Sequence, residues 1–304
     1  MRERIRRFRE RNEGAVLRKG LQEVSVRLWM RAGLRHLVGP MIPIRHPEGW
    51  IFIVGCYNSG TSILREILGA HPQIATLPRE GVELTGVFPD LETGGWQRMW
   101  HRNVERADLS RRDPTVIAVQ AMRDWAPWWG SGARFHLEKS IVHAAWMPAL
   151  QAGFDNARFV GVIRNGLCAS EGIRRRARPH GRARQVTGAE VYPIEEAGRQ
   201  WVFANTALLR DRGELRRYTE IRYEDFTADP AVTIRELFAD IGVDPEILED
   251  EGPGCLRIGA RRFHVTDHNA ESAARLSDAD IAALHPVIGP MMERLGYAMK
   301  RPGP

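Results

Sequence analysis

At 304 residues the chain has room for one large α/β domain or two small ones, and an apolar content of 43% is enough to bury a core. A formal net charge of +6 favours an anionic ligand or surface. Three cysteines, Cys56, Cys168 and Cys255, show neither metal-ligand spacing nor a disulfide framework, which fits a reducing, cytoplasmic compartment. No apolar run approaches the roughly 20 residues of a transmembrane helix. The arginine-rich start lacks the apolar stretch of a secretory signal, and Glu3, Glu10, Glu13 and Glu23 argue against a transit peptide.

Arg2, Arg4, Arg6, Arg7, Arg9 and Arg11 crowd the start, while Ile5, Phe8, Leu17, Leu21, Val24 and Leu28 mark an imperfect apolar face. This spacing predicts a helix within residues 1–38, ended by Gly39-Pro40 and Pro43. Two readings stand for it. It docks on its own domain or on a neighbouring subunit of a homo-oligomer, or it lies on anionic lipid as a peripheral membrane contact. Residues 1–48 are therefore read as a basic amphipathic helix and linker, and 49–304 as the main domain.

In the main domain strands are predicted at 50–55, 134–138, 157–163 and 217–222. Helices are predicted at 61–70, 141–152, 167–177, 193–211, 230–241, 277–285 and 286–296. The alternation implies an α/β fold, a doubly wound parallel sheet with helices on both faces. Segment 174–191, rich in Arg, Gly and His, reads as a mobile loop, and His71-Pro72 as a helix-end turn. Ligands of such sheets sit at the carboxyl ends of the strands. Three chemically loaded segments fall there: 55–62, 138–143 and 164–172.

The first is the most informative. Trp50 to Val54 is an apolar strand, Gly55 opens a short polar loop, and Ser62 to Leu68 starts a helix. Unpaired N–H groups and the positive end of the helix dipole converge there, making an anion site. Gly55 and Gly60 have P-loop spacing, but Thr61 stands where an NTPase carries its lysine, which argues against ATP or GTP hydrolysis. In the second segment a strand ends in Glu138 and Lys139, placing Lys139 beside the bound anion. In the third, the strand Ala157 to Ile163 delivers Arg164, whose planar fork grips phosphate oxygens in two places.

Taken together, these residues resemble the sulfotransferases that use 3′-phosphoadenosine 5′-phosphosulfate (PAPS). Gly55-Cys-Tyr-Asn-Ser-Gly-Thr-Ser62 is similar to their 5′-phosphosulfate loop. Glu138-Lys-Ser-Ile-Val-His143 with Met147-Pro148 resembles the Glu-Lys-Thr-Pro-x-His segment of bacterial members. Ala157-Arg-Phe to Arg164-Asn-Gly resembles their 3′-phosphate strand and loop. Ile221-Arg-Tyr-Glu-Asp-Phe-Thr-Ala-Asp-Pro230 resembles their Arg-Tyr-Glu-Asp strand and following helix, and Leu276 through Tyr297 their C-terminal end. The resemblance spans about 49–297. Two positions depart from it: Asn58 stands where many members carry Arg or Lys, and Gly172 where many carry serine, with Ser170 two residues early.

The resemblance implies in-line transfer of a sulfuryl group from PAPS to a hydroxyl of a carbohydrate, lipid or small-molecule acceptor, with 3′-phosphoadenosine 5′-phosphate (PAP) as product and no metal. It implies a donor site of Gly55, Tyr57, Asn58, Ser59, Gly60, Thr61 and Ser62, with Arg164 and Ser170, or the arginines that follow, for the 3′-phosphate, Arg261 and Arg262 closing over it, and Lys139 for the leaving phosphate. Glu80 occupies the place of the base in glutamate-type members; His143 is the second candidate, with Glu83 and Glu138 behind it. Trp96, Trp100 and the tryptophans of 122–130 either line the acceptor site or pack the core. The arginines of 174–184 form either an acidic-acceptor or membrane contact or a solvated loop. No nucleic-acid partner is expected. Competing readings are a tyrosylprotein sulfotransferase, a P-loop nucleotide kinase-like enzyme and a non-catalytic nucleotide-binding relative.

Overall fold

The computed structural model describes residues 41–302 except Arg45, Ser110, Gly130 and Ser131, together with Val24. The basic helix read into residues 1–38 lies outside the described residues, Val24 apart. From residue 49 the elements run β1 (Gly49–Gly55), α1 (Thr61–Leu68), β2 (Ile74–Thr76), α2 (Pro114–Trp125), β3 (Phe135–Lys139), α3 (Met147–Gly153) and β4 (Ala157–Ile163). They continue as α4 (Gly166–Arg176), α5 (Gly181–Thr187), α6 (Ile194–Asp211), β5 (Tyr218–Arg222), α7 (Tyr223–Ala228) and α8 (Pro230–Ile241). The chain closes with β6 (Leu248–Asp250), β7 (Cys255–Ile258), β8 (Arg261–His264), α9 (Asn269–Ala274) and α10 (Asp278–Arg294).

Strands β1 to β5 form a parallel sheet in the order β2-β3-β1-β4-β5. β1 is buried along its whole length because both faces of the sheet are covered. Its side chains alternate between two cores, as the pleat requires. Trp50, Phe52 and Val54 join one core with residues of α2, α3, α4, α6 and α10. Ile51 and Ile53 join the other with α1, α8 and the small sheet β6-β7-β8. Aromatic rings fill the first core: Trp50 lies 4.9 Å from Phe154 and 5.9 Å from Trp125, ring centre to ring centre.

This order positions the site. β1 lies between β3 and β4, with Ile53 in register with Lys139 and Gly55 with Val162. The chain leaves β1 toward β2 on one side and returns to the other side with β4, so a crevice opens above the end of β1. Lys139 and Arg164 stand on its two flanks.

An ion-pair hub fastens the segment after β2 to this frame. At the start of α6, Glu196 pairs with Arg102 at 2.5 Å, Arg199 at 2.5 Å and His101 at 3.5 Å. Burial pushes the Glu196 carboxyl up, but hydrogen bonds from His101 and Arg102 and the charge of Arg102 outweigh it, holding the pKa at about 2. A carboxyl held below its ordinary 4.5 stabilises the fold above that pH, and the stabilisation drains away as pH falls toward 2. Glu196→Gln should therefore cost about 1–2 kcal/mol at neutral pH. It should also flatten the acid limb of stability in that window; chemical denaturation across pH checks both, and an unchanged acid limb would refute the assignment.

Several expectations need correction. Segment 174–191 is not one mobile loop: α4 runs on to Arg176, and α5 occupies Gly181–Thr187. The two helices expected at 277–285 and 286–296 are the single α10, which continues through Pro286 and Pro290. The helix expected at 141–152 is a 3-10 turn, Ile141–Ala145, followed by α3. β2, α2 and the antiparallel strands β6 to β8 were not foreseen. Trp96, Trp100, Trp125 and Trp129 are buried in the first core, so they pack the interior and do not line the cavity described below. His71 does close a turn: its ring bonds the Gln73 N–H at 3.1 Å and faces the Asp244 carbonyl at 3.2 Å.

Candidate active site

The loop after β1 turns sharply into α1. A Cβ on Gly55 would lie 2.7 Å from the Val162 carbonyl oxygen of β4. Gly60 takes φ 88°, and a Cβ there would lie 2.8 Å from the Tyr223 ring. Both glycines therefore serve close approach, and Gly60 also serves a left-handed turn. α1 has no acidic residue in its first turn, so nothing neutralises the positive end of its dipole from within. Tyr57, Asn58, Gly60, Thr61 and Ser62 line a cavity of about 600 Å³. Gly55 and Ser59 do not line it; Ser59 is fully buried beneath the loop.

On the β3 flank, Lys139 reaches the cavity and its ammonium pairs with Glu80. Its neighbour Glu138 is buried on the tryptophan-rich face of the sheet. There His143 Nδ1 lies 2.7 Å from Glu138 Oε2, and both side chains are fully buried. Phe88 and Phe52 pack on the imidazole at 4.7 and 5.8 Å. Burial pushes the Glu138 carboxyl up, but His143, Ser140 and the Gly81 N–H overcome it and hold it below its ordinary value. Glu138 Oε1 accepts the Gly81 N–H at 2.6 Å and the Ser140 hydroxyl, and Trp125 Nε1 donates to the Gly81 carbonyl at 3.0 Å. Glu138 and His143 thus anchor the turn that carries Glu80. The 3-10 turn after β3 folds His143 under the sheet, so the structure removes it from the cavity. Glu83 lies one turn beyond Glu80 and pairs with Arg79 at 2.8 Å.

On the β4 flank, Arg164 is held on three sides. Its Nε donates to Asn269 Oδ1 at 2.8 Å, its Nη1 to the Asn58 carbonyl at 2.6 Å, and its guanidinium lies 4.1 Å over the Tyr223 ring. Its Nη2 is buried without a partner among the described residues. Glu224 braces the arrangement by accepting from the Asn165 N–H at 3.0 Å, Asn269 Nδ2 at 2.9 Å and the Tyr297 hydroxyl at 2.7 Å.

Ser170, Arg261 and Arg262 are placed elsewhere. Ser170 is fully buried inside α4 and does not line this cavity. Arg261 and Arg262 are exposed on β8, Arg261 over Phe263 and Arg262 paired with Glu251 at 2.5 Å, because the expected loop is a strand of the small sheet. The late wall of the cavity comes instead from His264, His268, Ser272 and Arg275. Gly172 does line it, and a Cβ there would lie 3.0 Å from Asn58 Cβ and Cγ. The two departures from the family pattern therefore touch: the glycine makes room for the asparagine.

Sequence reasoning also missed Arg98 and Arg275, which show no motif of their own; Tyr223 lay in the Arg-Tyr-Glu-Asp segment without a site role, and the run of arginines contained Arg175 and Arg176 without singling them out. Six cationic side chains (Arg98, Lys139, Arg164, Arg175, Arg176 and Arg275) line the cavity against two carboxylates, Glu80 and Glu271. Such a wall suits a ligand with several negative charges.

A sequence model of the sulfotransferase family matches residues 50–246. No curated protein matches the chain. Among solved structures it is similar to sulfotransferase STF1 from Mycobacterium tuberculosis H37Rv, with 18% identity over 71% of this chain and 73% of that one and a TM-score of 0.48. It is also similar to a sulfotransferase from Alicyclobacillus acidocaldarius, with 20% identity over 81% and 97% of the two chains and a TM-score of 0.46. For sulfotransferase STF9 from Mycobacterium avium the identity is 14%, the coverage 90% and 82%, and the TM-score 0.49.

Proposed function

This chain belongs to the sulfotransferase family and transfers sulfuryl groups, and from that premise we propose that its donor is PAPS and its acceptor a hydroxyl of a carbohydrate, lipid or small molecule. The observation that carries the donor assignment is the pair of anion sites in one cavity. The start of α1 with Lys139 offers one; Arg164, with its unpartnered Nη2, offers the other. A donor with a phosphosulfate at one end and a phosphate at the other supplies a charge for each. An NTPase reading has no lysine at Thr61 to support it.

When bound, PAPS supplies an electrophilic sulfur carried on a phosphate leaving group. The N–H groups at the start of α1 and the hydroxyls of Thr61 and Ser62 hold the phosphate of that group, and Lys139 neutralises the charge that grows on its oxygen. Arg164 holds the distal phosphate and so fixes the nucleotide in line. Glu80, at the cavity wall and in contact with Lys139, takes the acceptor hydroxyl proton on a carboxylate oxygen. Calorimetry with PAP and with ATP/Mg²⁺ tests the donor. PAP should bind in the micromolar range and ATP/Mg²⁺ should not, and Arg164→Ala should weaken PAP about tenfold to a hundredfold, the worth of charged hydrogen bonds. A protein indifferent to PAP would end the donor assignment.

A further inference from the structure

The end of α4 carries three successive arginines with different partners. Arg174 pairs with Asp280 at 2.5 Å and Arg175 with Glu171 at 2.9 Å, so each has its counter-charge. Arg176 pairs with no carboxylate among the described residues. Its one side-chain bond among them runs from Nη1 to Asn58 Oδ1 at 2.9 Å. Arg164 also lacks a carboxylate partner among the described residues, and its Nη1 donates to the carbonyl of the same Asn58 at 2.6 Å. One residue of the loop after β1 therefore holds two guanidiniums, one by its backbone and one by its side chain.

The local structure explains how they meet. Gly172 stands one turn before Arg176 on α4, so the two share a helix face, and both line the cavity. A Cβ on Gly172 would lie 3.0 Å from Asn58 Cβ and Cγ, so the bare backbone there lets Asn58 lie against the helix within reach of Arg176. Asn58 takes φ 60°, a left-handed conformation that asparagine tolerates better than most residues. Arg164, pinned by Asn58, Asn269 and Tyr223, keeps its buried Nη2 unpartnered among the described residues, and Asn58 Nδ2 is buried without a partner in the same sense. Two like charges brought to one residue repel each other, and an anion seated between them is attracted to both. Burial and then the charges of Arg175, Arg98 and Arg164 hold the Arg176 pKa below its ordinary value, which agrees with that crowding.

We propose that Arg164 and Arg176 close on one anion, the distal phosphate of the donor, and that Asn58 is the positioning residue that yokes them. This rests on the donor reading above and adds a second binding arginine to it. On that reading the start of α1 and Lys139 serve the phosphosulfate end, which leaves the phosphate to the β4 flank, where Arg164 stands. Each guanidinium presents a planar fork, and a phosphate has oxygens enough for both. Gly172 is then the position that lets the loop and the helix arginine come together.

The test compares PAP with adenosine 5′-monophosphate, which lacks the distal phosphate, by calorimetry on the full chain. The parent should prefer PAP. Arg176→Gln should cut that preference about tenfold or more, the worth of charged hydrogen bonds. Its fold should survive, since the side chain is exposed, and a thermal melt checks this. Asn58→Gly keeps the left-handed backbone and the carbonyl that holds Arg164, but removes the oxygen that holds Arg176. It should lower the preference in the parent and change it by no more than about twofold in the Arg176→Gln background, because its effect passes through Arg176. A preference that survives Arg176→Gln, or an Asn58→Gly effect of the same size in both backgrounds, overturns the inference and leaves the donor assignment standing. A parent that binds PAP no better than the monophosphate overturns both.

Discussion

Lys139→Ala is expected to lower kcat by about 10²–10³-fold, the loss found when one preorganised donor to a developing oxyanion is removed. The fold should survive, because the partner left behind, Glu80, is partly exposed and regains water while β3 keeps its ladder to β1 and β2. Donor affinity should fall far less than kcat, since the charge Lys139 meets grows mainly as the sulfur–oxygen bond breaks. Steady-state kinetics with labelled PAPS, beside a thermal melt of each protein, separate these effects. Turnover at the parental rate would remove Lys139 from the mechanism.

Glu80→Gln keeps the size of the side chain and takes away its basicity. The expected result is a fall in kcat of about 10²–10⁴-fold with PAP affinity little changed, because the role proposed for Glu80 is to meet the acceptor and not the nucleotide. A variant that keeps the parental kcat would transfer the base to another group. His143 is not positioned to be that group, being fully buried against Glu138, Phe52 and Phe88.

The parts of the fold that could be read in the sequence are those whose signal is dense. β1 and β4 are apolar runs that stop at loaded residues, β3 ends in Glu138-Lys139 and β5 leads into the Arg-Tyr-Glu-Asp segment; the glycine loop, Lys139 and Arg164 follow from where these strands stop. β2 has three residues, too few for a period. β7 and β8 are half exposed, and β8 is written mostly in polar residues, so they resemble loop. The start of α2 was present in the text: Asp113 caps it by accepting the Thr115 N–H at 2.8 Å, with Pro114 in the first turn. The tryptophans at its end fit an acceptor surface and a packed core equally as sequence, and the core is where Trp125 and Trp129 lie. Pro286 and Pro290 suggested a break that α10 does not make.

Within the site, spacing alone misled wherever the rotation of a turn decides which way a side chain faces. His143 follows Lys139 by four residues, yet the 3-10 turn sends it to the opposite side of the sheet. Ser170 looked like a displaced phosphate ligand, but in α4 it is fully buried two positions from Gly172, the residue of that helix's middle that lines the cavity. Arg98 and Arg275 come from segments with no pattern, brought in by tertiary packing only.

β3 has a consequence for how the two reacting partners are brought together. Lys139 touches Glu80 directly, while the preceding residue, Glu138, holds the next link in the Glu80 turn, Gly81. The base and the cation are therefore indexed to adjacent rungs of one central strand, which sits between β1 and β2. No hinge separates them, so a lid that closed over this cavity could carry the acceptor inward but could not alter the distance between proton acceptor and leaving-group cation. Productive geometry would then depend on how the acceptor is seated, and poor acceptors would fail by misplacement against a fixed frame.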